Sequence, residues 1–418
     1  MSSSVPRRSS SEARSASERR RSSASLVRSF RFSIPGLEHP VPMLRRFSTR
    51  WLRCSPIVRG FVHEQFSGRV VFGTGASGRL VDEVELLGLY RPMLISSGSQ
   101  SSTSDLIARR IRGRLAARVR NVTQHVPEDD VKRARAAALD ARADGLISVG
   151  GGSATGLAKA VALETDLPII AVPTTFAGSE MTPIWGITAG GSKRTGRDPR
   201  AVPRTVIYDP ELIVSLPADV TAASGINAIA HGVEAMYARD VSPVLEMLAE
   251  QSIRVLAAAL PACVERPADI SARSRALYGA FLAGMVLAGA GMAIHHTISH
   301  VLGGTYGLPH GAINSALLPH VLAFNAPAAP GAAARIAQAL GVDDPAAALY
   351  DLASAMGAPT SLEAVGLKRE HLAAAAARTV ENAGWNPKPF DVAAVTSILT
   401  AAFEGRRPSN AGDMRTRG

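Results

Sequence analysis

Cysteine is almost missing: Cys54 and Cys263 are the only two in 418 residues. Cys54 stands in an N-terminal stretch of distinct character, so the rest of the chain has one thiol. That excludes an internal disulfide framework and a cysteine-based metal centre in the body, and it suits a reducing cytoplasm. Also missing is any uninterrupted apolar run near the roughly 20 residues a membrane-spanning helix needs. The most apolar stretch, 276–294, contains four glycines and Tyr278 and leads straight into histidines, so it reads as a buried core helix. Acidic residues are scarce in residues 1–60, where thirteen Arg stand against three Glu (Glu12, Glu18, Glu38), with no Lys or Asp. This segment therefore carries +10 of the formal net charge of +11, leaving +1 for residues 61–418. The body is close to neutral, which argues against nucleic acid as its partner.

Residues 1–60 are expected to be a disordered, Arg/Ser-rich extension, with too little apolar surface to offset the entropy of ordering. A targeting peptide, a tail for acidic partners and an upstream extension ahead of Met43 all remain open for it. From residue 61 the texture changes. Short buried-strand patterns at 69–72, 92–96, 145–149, 168–172 and 205–208 alternate with helical patterns at 104–118, 129–143 and 156–164. Such alternation predicts an α/β domain with a parallel sheet over 61–210, the architecture that binds nucleotides at strand C-termini. Beyond 210 the helical patterns at 217–239, 243–264, 268–289, around 300, 333–340 and 367–379 predict an all-helical domain over 211–405. A flexible tail is expected at 406–418.

Within the α/β region, a strand runs into Gly150, Gly151, Gly152 and Ser153. Glycines let the main chain approach a ligand closely, and the N–H groups of the next helix then face it, which suits a pyrophosphate. Ser153 is the expected helix cap, and Thr155, two residues on, is a further expected cofactor-binding residue. The next strand ends in Thr174, Thr175 and Ser179, whose hydroxyls are expected at the same crevice. The strand at 92–96 runs into Ser97 and Gly98 with no acid to meet a ribose, so NADH and NADPH are both expected.

Nine of the ten histidines fall in the body. Asn227 and His231 are four apart on one predicted helix, His296 and His300 four apart on another, and His310 opens the next. Imidazoles from such elements can converge as metal ligands or proton carriers. A basic run of Lys193, Arg194, Arg197 and Arg200 offers cations for carboxylates.

The body resembles the iron-containing alcohol dehydrogenases, which share their fold with dehydroquinate synthase. The likeness rests on FGTG at 72–75, GGGS at 150–153, PTTFAGSE at 173–180, GINAIAHGVEA at 225–235 and HTISHVLGGTYGLPHG at 296–311. It implies one Asp and three His as metal ligands, placing the histidines at His231, His296 and His310, with His300 close to nicotinamide and substrate. Asn227 occupies the Asp position, and a neutral amide is a weaker ligand than a carboxylate, so a divalent metal is expected to be absent or weakly held. Gly156 likewise stands where an Asp usually follows the glycine loop. Both departures, with SEMTPIW at 179–185, KRTGRDPR at 193–200 and TVIYDP at 205–210, resemble the maleylacetate reductase branch. That branch implies NAD(P)H-dependent reduction of maleylacetate, a small dicarboxylate, to 3-oxoadipate in aromatic degradation, and a homodimer without nucleic-acid or membrane partners. A metal-dependent alcohol dehydrogenase, an inactive binding homologue and dehydroquinate synthase chemistry are the competing readings.

Overall fold

A computed structural model describes His63, Phe66 and residues 68–408, except 99–100, 121, 191 and 383 and the side chains of Ser192 and Lys193. The expectations for residues 1–60, and for the tail after Pro408, lie outside the described residues. Arg407, at the start of that tail, makes a two-pronged ion pair with Asp351.

The α/β part runs β1 (Arg69–Phe72), α1 (Leu80–Leu86), β2 (Pro92–Ser96), α2 (Ser101–Arg110), β3 (Ala117–Val119), α3 (Glu128–Asp140), β4 (Gly145–Gly150), α4 (Gly152–Thr165), β5 (Ile169–Pro173), β6 (Ile184–Ala189), β7 (Ser192–Arg197) and β8 (Thr205–Tyr208). Six strands form a parallel sheet in the order β1-β8-β5-β4-β2-β3. Successive side chains alternate between its faces. Leu94, Ile147, Val149, Ile170 and Val172 pack with Leu80, Val84 and Ile107 on one face, while Met93, Ile95 and Leu146 pack with Val131, Leu157 and Val161 on the other. Covering both faces is what makes these strands continuous apolar runs.

Two expectations are corrected here, and one element is added. The helix expected over 104–118 ends at Arg110, and Ala117–Val119 pairs along β2 as the edge strand. The pattern at 156–164 is the interior of a helix that already starts at Gly152 and is capped by Gly151, so Ser153 sits inside the first turn and is not the cap. Lys193, Arg194 and Arg197 of the basic run lie on one arm of an antiparallel hairpin, with Ile184–Ala189 paired to Ser192–Arg197, and Arg200 follows it in a short turn.

After β8 no further strand occurs among the described residues. The helices are α5 (Ala218–Met236), α6 (Pro243–Glu265), α7 (Ile270–Gly289), α8 (Ile294–Tyr306), α9 (His310–Asn325), α10 (Pro330–Leu340), α11 (Pro345–Ala355), α12 (Leu372–Asn382) and α13 (Val392–Phe403). By length and composition α6 is apolar enough to cross a bilayer. Here it packs through Leu245, Ala249, Ile253, Leu256 and Leu260 into the core it shares with α5 and α7.

His320 is buried on α9, and its Nε2 has no hydrogen-bond partner. Burial, and then the charge of Arg406, pull its pKa down to about 4. The unfolded chain takes up that proton near pH 6.5. Stability is therefore lost as pH falls from about 6.5 to 4, by up to about 3 kcal/mol from this group. Denaturant titrations at pH 7 and 4.5 should show a flatter pH dependence for His320→Leu than for the wild type. Equal slopes would remove His320 from the account.

Candidate active site

The chain passes β2 and β3 toward one edge of the sheet and then returns to β4, β5 and β8 on the other side of β2, so the strand order reverses between β2 and β4. Crevices of this kind, outside strand C-termini, are where open α/β sheets bind ligands. The crevice receives Ser97 after β2, Gly150 ending β4, and Thr174 and Thr175 after β5. Gly150 has φ 148°, and a Cβ on it would meet Ala154 Cβ at 2.9 Å and Ser97 Oγ at 3.1 Å. A Cβ on Gly151 would lie 3.0 Å from Thr175. Thr174 N–H donates to Gly150 O at 3.0 Å, and its buried Oγ1 has no partner. Thr155 is buried one turn into α4, behind the loop. The loops holding Ser97, Gly150–Ser153 and Thr174–Thr175 thus come together as expected. The side-chain-free cradle and the orphaned hydroxyl fit a dinucleotide phosphate group.

A clasp beneath this cradle was not anticipated. Lys159, buried on α4, donates to Ser179 O (2.6 Å), Thr182 O (2.7 Å), Ile184 O (2.8 Å) and Thr182 Oγ1 (3.0 Å). Burial lowers its pKa to about 7, opposed by Glu180. Ser179 therefore belongs to the loop through its carbonyl, which anchors that loop to α4.

The histidines come from three helices. On α5, Asn227, His231 and Glu234 follow at i, i+4 and i+7 and are all buried. On α8, His296 and His300 are one turn apart. Gly307, with φ 68°, ends α8, and Pro309 leads directly into His310 at the start of α9, so the chain doubles back and His310 faces α8. Ring centroids lie 5.0 Å apart for His231–His296, 6.3 Å for His296–His300, 6.2 Å for His296–His310 and 5.7 Å for His300–His310. The structure brings all four predicted histidines together. His231 and His296 lie deep, and His300 is at the exposed rim. The patch also meets the cofactor loops: a Cβ on Gly178 would lie 3.5 Å from His231 Nδ1.

Sequence reasoning missed Glu234, although its spacing from Asn227 and His231 was the available signal. Its carboxylate accepts from His295 N (2.9 Å), His296 N (3.3 Å) and His296 Nδ1 (2.6 Å). Burial pushes this carboxyl up, but the bond and charge of His296 outweigh it and leave it below its ordinary value. With Nδ1 engaged, His296 presents Nε2 to the patch, where it is buried without a partner, as is His231 Nδ1. Burial holds His231 well below the usual imidazole range, helped by the neighbouring histidines, and brings His295 to about 4.

Asn227 is drawn into a second network, in which Ser299 donates to Asn314 and Asn314 Nδ2 donates to Asn227 Oδ1. Its amide oxygen is thereby engaged. Ligand atoms of Glu234, His295 and His296 lie within 4.8 Å of one another, a grouping that could hold a metal ion. Glu234 already accepts three N–H groups there, and a cation would have to displace bonds that pin two backbone amides. The other donors at the patch are the imidazoles of His231, His300 and His310, with the Asn227 amide, a weaker ligand than a carboxylate, one turn before His231.

The basic run does not join the patch through any contact of its described side chains. Arg194 reaches Glu128 at 3.5 Å, Arg197 donates to Ala288 O and lies over the Phe66 ring, and Arg200 grips Asp198 and Leu163 O. The side chain of Lys193 is outside the described residues.

Comparison with known proteins gives concordant results. The iron-containing alcohol dehydrogenase pattern matches residues 67–210, and the C-terminal pattern of the Fe-containing alcohol dehydrogenase family matches 221–403. A maleylacetate reductase of Burkholderia cepacia is 46% identical over 352 residues, covering 84% of this chain and all of the relative. The crystal structure of a maleylacetate reductase from Agrobacterium tumefaciens superposes with a TM-score of 0.80 at 42% identity, over 84% of this chain and 100% of that one. A putative alcohol dehydrogenase from Ralstonia eutropha JMP134 gives 0.83 at 47% identity, with the same coverage.

Proposed function

Because this chain belongs to the iron-containing alcohol dehydrogenase family, in its maleylacetate reductase branch, we propose that it reduces maleylacetate to 3-oxoadipate with NADH or NADPH, with little or no dependence on a divalent metal. The observation that carries this reading is the donor set of the patch: His231 Nδ1 and His296 Nε2 are buried without partners, and Asn227, a neutral amide one turn before His231, is already held by Asn314 at the position where the family pattern implies a carboxylate. A metal-dependent alcohol dehydrogenase uses a Lewis acid to lower the pKa of its alcohol. Reducing an enone requires only donors aimed at an oxygen that becomes an enolate.

Bound NAD(P)H supplies a hydride, which the enone accepts at the carbon β to its ketone. The residues of this chain manage the rest. The loops at Ser97, Gly150–Ser153 and Thr174–Thr175 hold the dinucleotide across the β2/β4 crevice. His231, His296 and His310 surround the developing enolate oxygen, with Glu234 behind His296 countering positive charge on that ring. His300, at the accessible rim, delivers the proton to the carbon α to the ketone, completing net addition of hydride and proton across the double bond. The absence of an acid at Ser96–Gly98 leaves room for either nicotinamide cofactor. The proposed partners are this dicarboxylate and a second copy of the chain, with no nucleic acid or membrane, in the cytoplasm.

One observation favours a second reading. The Glu234, His295 and His296 grouping would serve a metal-dependent alcohol dehydrogenase if a cation displaced its hydrogen bonds. A single assay decides between them. Purified protein should consume NAD(P)H with maleylacetate, and prior chelation should change the rate by less than about twofold, since no Lewis acid is required. Chelator-sensitive alcohol oxidation without maleylacetate turnover would establish the second reading instead.

A further inference from the structure

The loop between β3 and α3 holds two adjacent residues, His125 and Val126, in left-handed backbone, with φ 63° and 52°. A β-branched residue there is a genuine outlier. Such strain persists only where the surroundings over-determine it, and it clusters at ligand sites. Here the surroundings are visible. Thr188 on β6 donates from Oγ1 to His125 O (2.7 Å) and from N to Val126 O (3.0 Å). The Val126 side chain fills the place that Gly156 leaves open on α4, where a Cβ would come within 2.9 Å of Val126 Cγ2. The glycine that replaces the family's usual Asp is therefore the seat of this loop.

The strain carries His125 toward α8. Its Cε1 lies 3.9 Å from where a Cβ on Gly303 would be. Gly303 is seven residues after His296 and three after His300, so all three share the helix face that lines the patch. His125 is the only histidine between residues 68 and 210, and it meets α8 one turn beyond His300. Meanwhile Arg194, Arg197 and Arg200 spend their described contacts on Glu128, the Ala288 carbonyl and Asp198.

We propose that His125 is a substrate-recognition residue, its imidazole donating to a carboxylate of the dicarboxylate bound beside His300 on α8. The inference rests on the reading given under Proposed function and deepens it by naming what recognises one end of the substrate.

Two variants test it. His125→Gly suits the left-handed backbone and removes the ring, and His125→Asn tolerates that backbone and retains an N–H donor. With the glycine variant, KM for maleylacetate should rise about 10-fold or more, as expected for loss of a hydrogen bond to a charged group. NADPH affinity, followed by fluorescence, should stay within about twofold, and the melting temperature should equal or exceed that of the wild type because strain is relieved. The asparagine variant should fall between wild type and glycine. One half-ester of maleylacetate, with the contacted carboxylate masked, should show no penalty in the glycine variant. An unchanged KM in His125→Gly, or a loss confined to NADPH affinity, overturns the proposal while leaving the proposed function standing. Lack of turnover by the wild type overturns that function first, and this inference with it.

Discussion

Replacing His300 with glutamine is expected to lower kcat for maleylacetate reduction by about 10²- to 10⁴-fold, the span typical for loss of a general acid. Glutamine preserves polarity and much of the volume but cannot exchange a proton near neutral pH. His300 is the most exposed of the patch histidines, so it can be reprotonated directly from solvent after each turnover. Its ring stacks on His310 at 5.7 Å, which orients it along the cleft. Because the ring of His300 packs with those of His296 and His310, NADPH affinity should remain within about threefold of wild type, a change of under 1 kcal/mol. Rapid-mixing measurements should show that single-turnover oxidation of bound NADPH slows along with kcat. A variant retaining more than a tenth of wild-type kcat would transfer the proton-delivery role to another member of the patch.

Glu234→Gln should damage both stability and rate. The carboxylate is buried and accepts two backbone N–H groups and His296 Nδ1. An amide offers one acceptor oxygen, and its NH2 group would confront donors. Removing one member of a buried, hydrogen-bonded charged pair typically costs about 3–5 kcal/mol. Losing the partner that orients a working histidine costs about 10- to 100-fold in activity. Denaturant unfolding reads the first effect, and kcat per folded molecule, with folding checked by circular dichroism, reads the second. A double variant with His296→Ala should be barely slower than His296→Ala alone, because Glu234 acts through that ring. Additive losses would mean that Glu234 serves the reaction by another route.

The parts of this fold that sequence reasoning read well share one physical trait. Strands β2, β4, β5 and β8 are covered by helices or loops on both faces, so each is an unbroken apolar run with breaker residues at its ends. What it misread is partly solvated or locally ambiguous. Ala117–Val119 is a half-buried edge strand whose composition suits a helix equally well, and only pairing with Met93–Ile95 makes it β. Residues 184–197 alternate little and contain three arginine or lysine side chains, so the hairpin is defined by cross-strand register rather than pattern. The helix on the glycine loop begins at Gly152 because the backbone turn at Gly150 and packing against Thr175 allow it, which helix propensity would not predict.

The site divides the same way. Local chemistry was readable: glycines at a strand end, hydroxyls after the next strand, and imidazoles at one-turn spacing. The identity of residue 227 as Asn was also plain, and with it the weakened case for a metal. Meeting in space is a different kind of fact. No spacing shows that α5, α8 and α9 close around one point, that Glu234 turns inward to hold His296, or that Asn314 claims the oxygen of Asn227. Nor does composition reveal that Gly156 exists to seat Val126, or that the resulting strained turn brings His125 up to α8. The sequence alone determined which groups this protein possesses and which elements carry them, because periodicity and side-chain chemistry are local. Only the tertiary structure decided which groups face each other and which are already bonded, because those depend on contacts between segments far apart in the chain, such as Asn227 with Asn314 or His125 with Gly303.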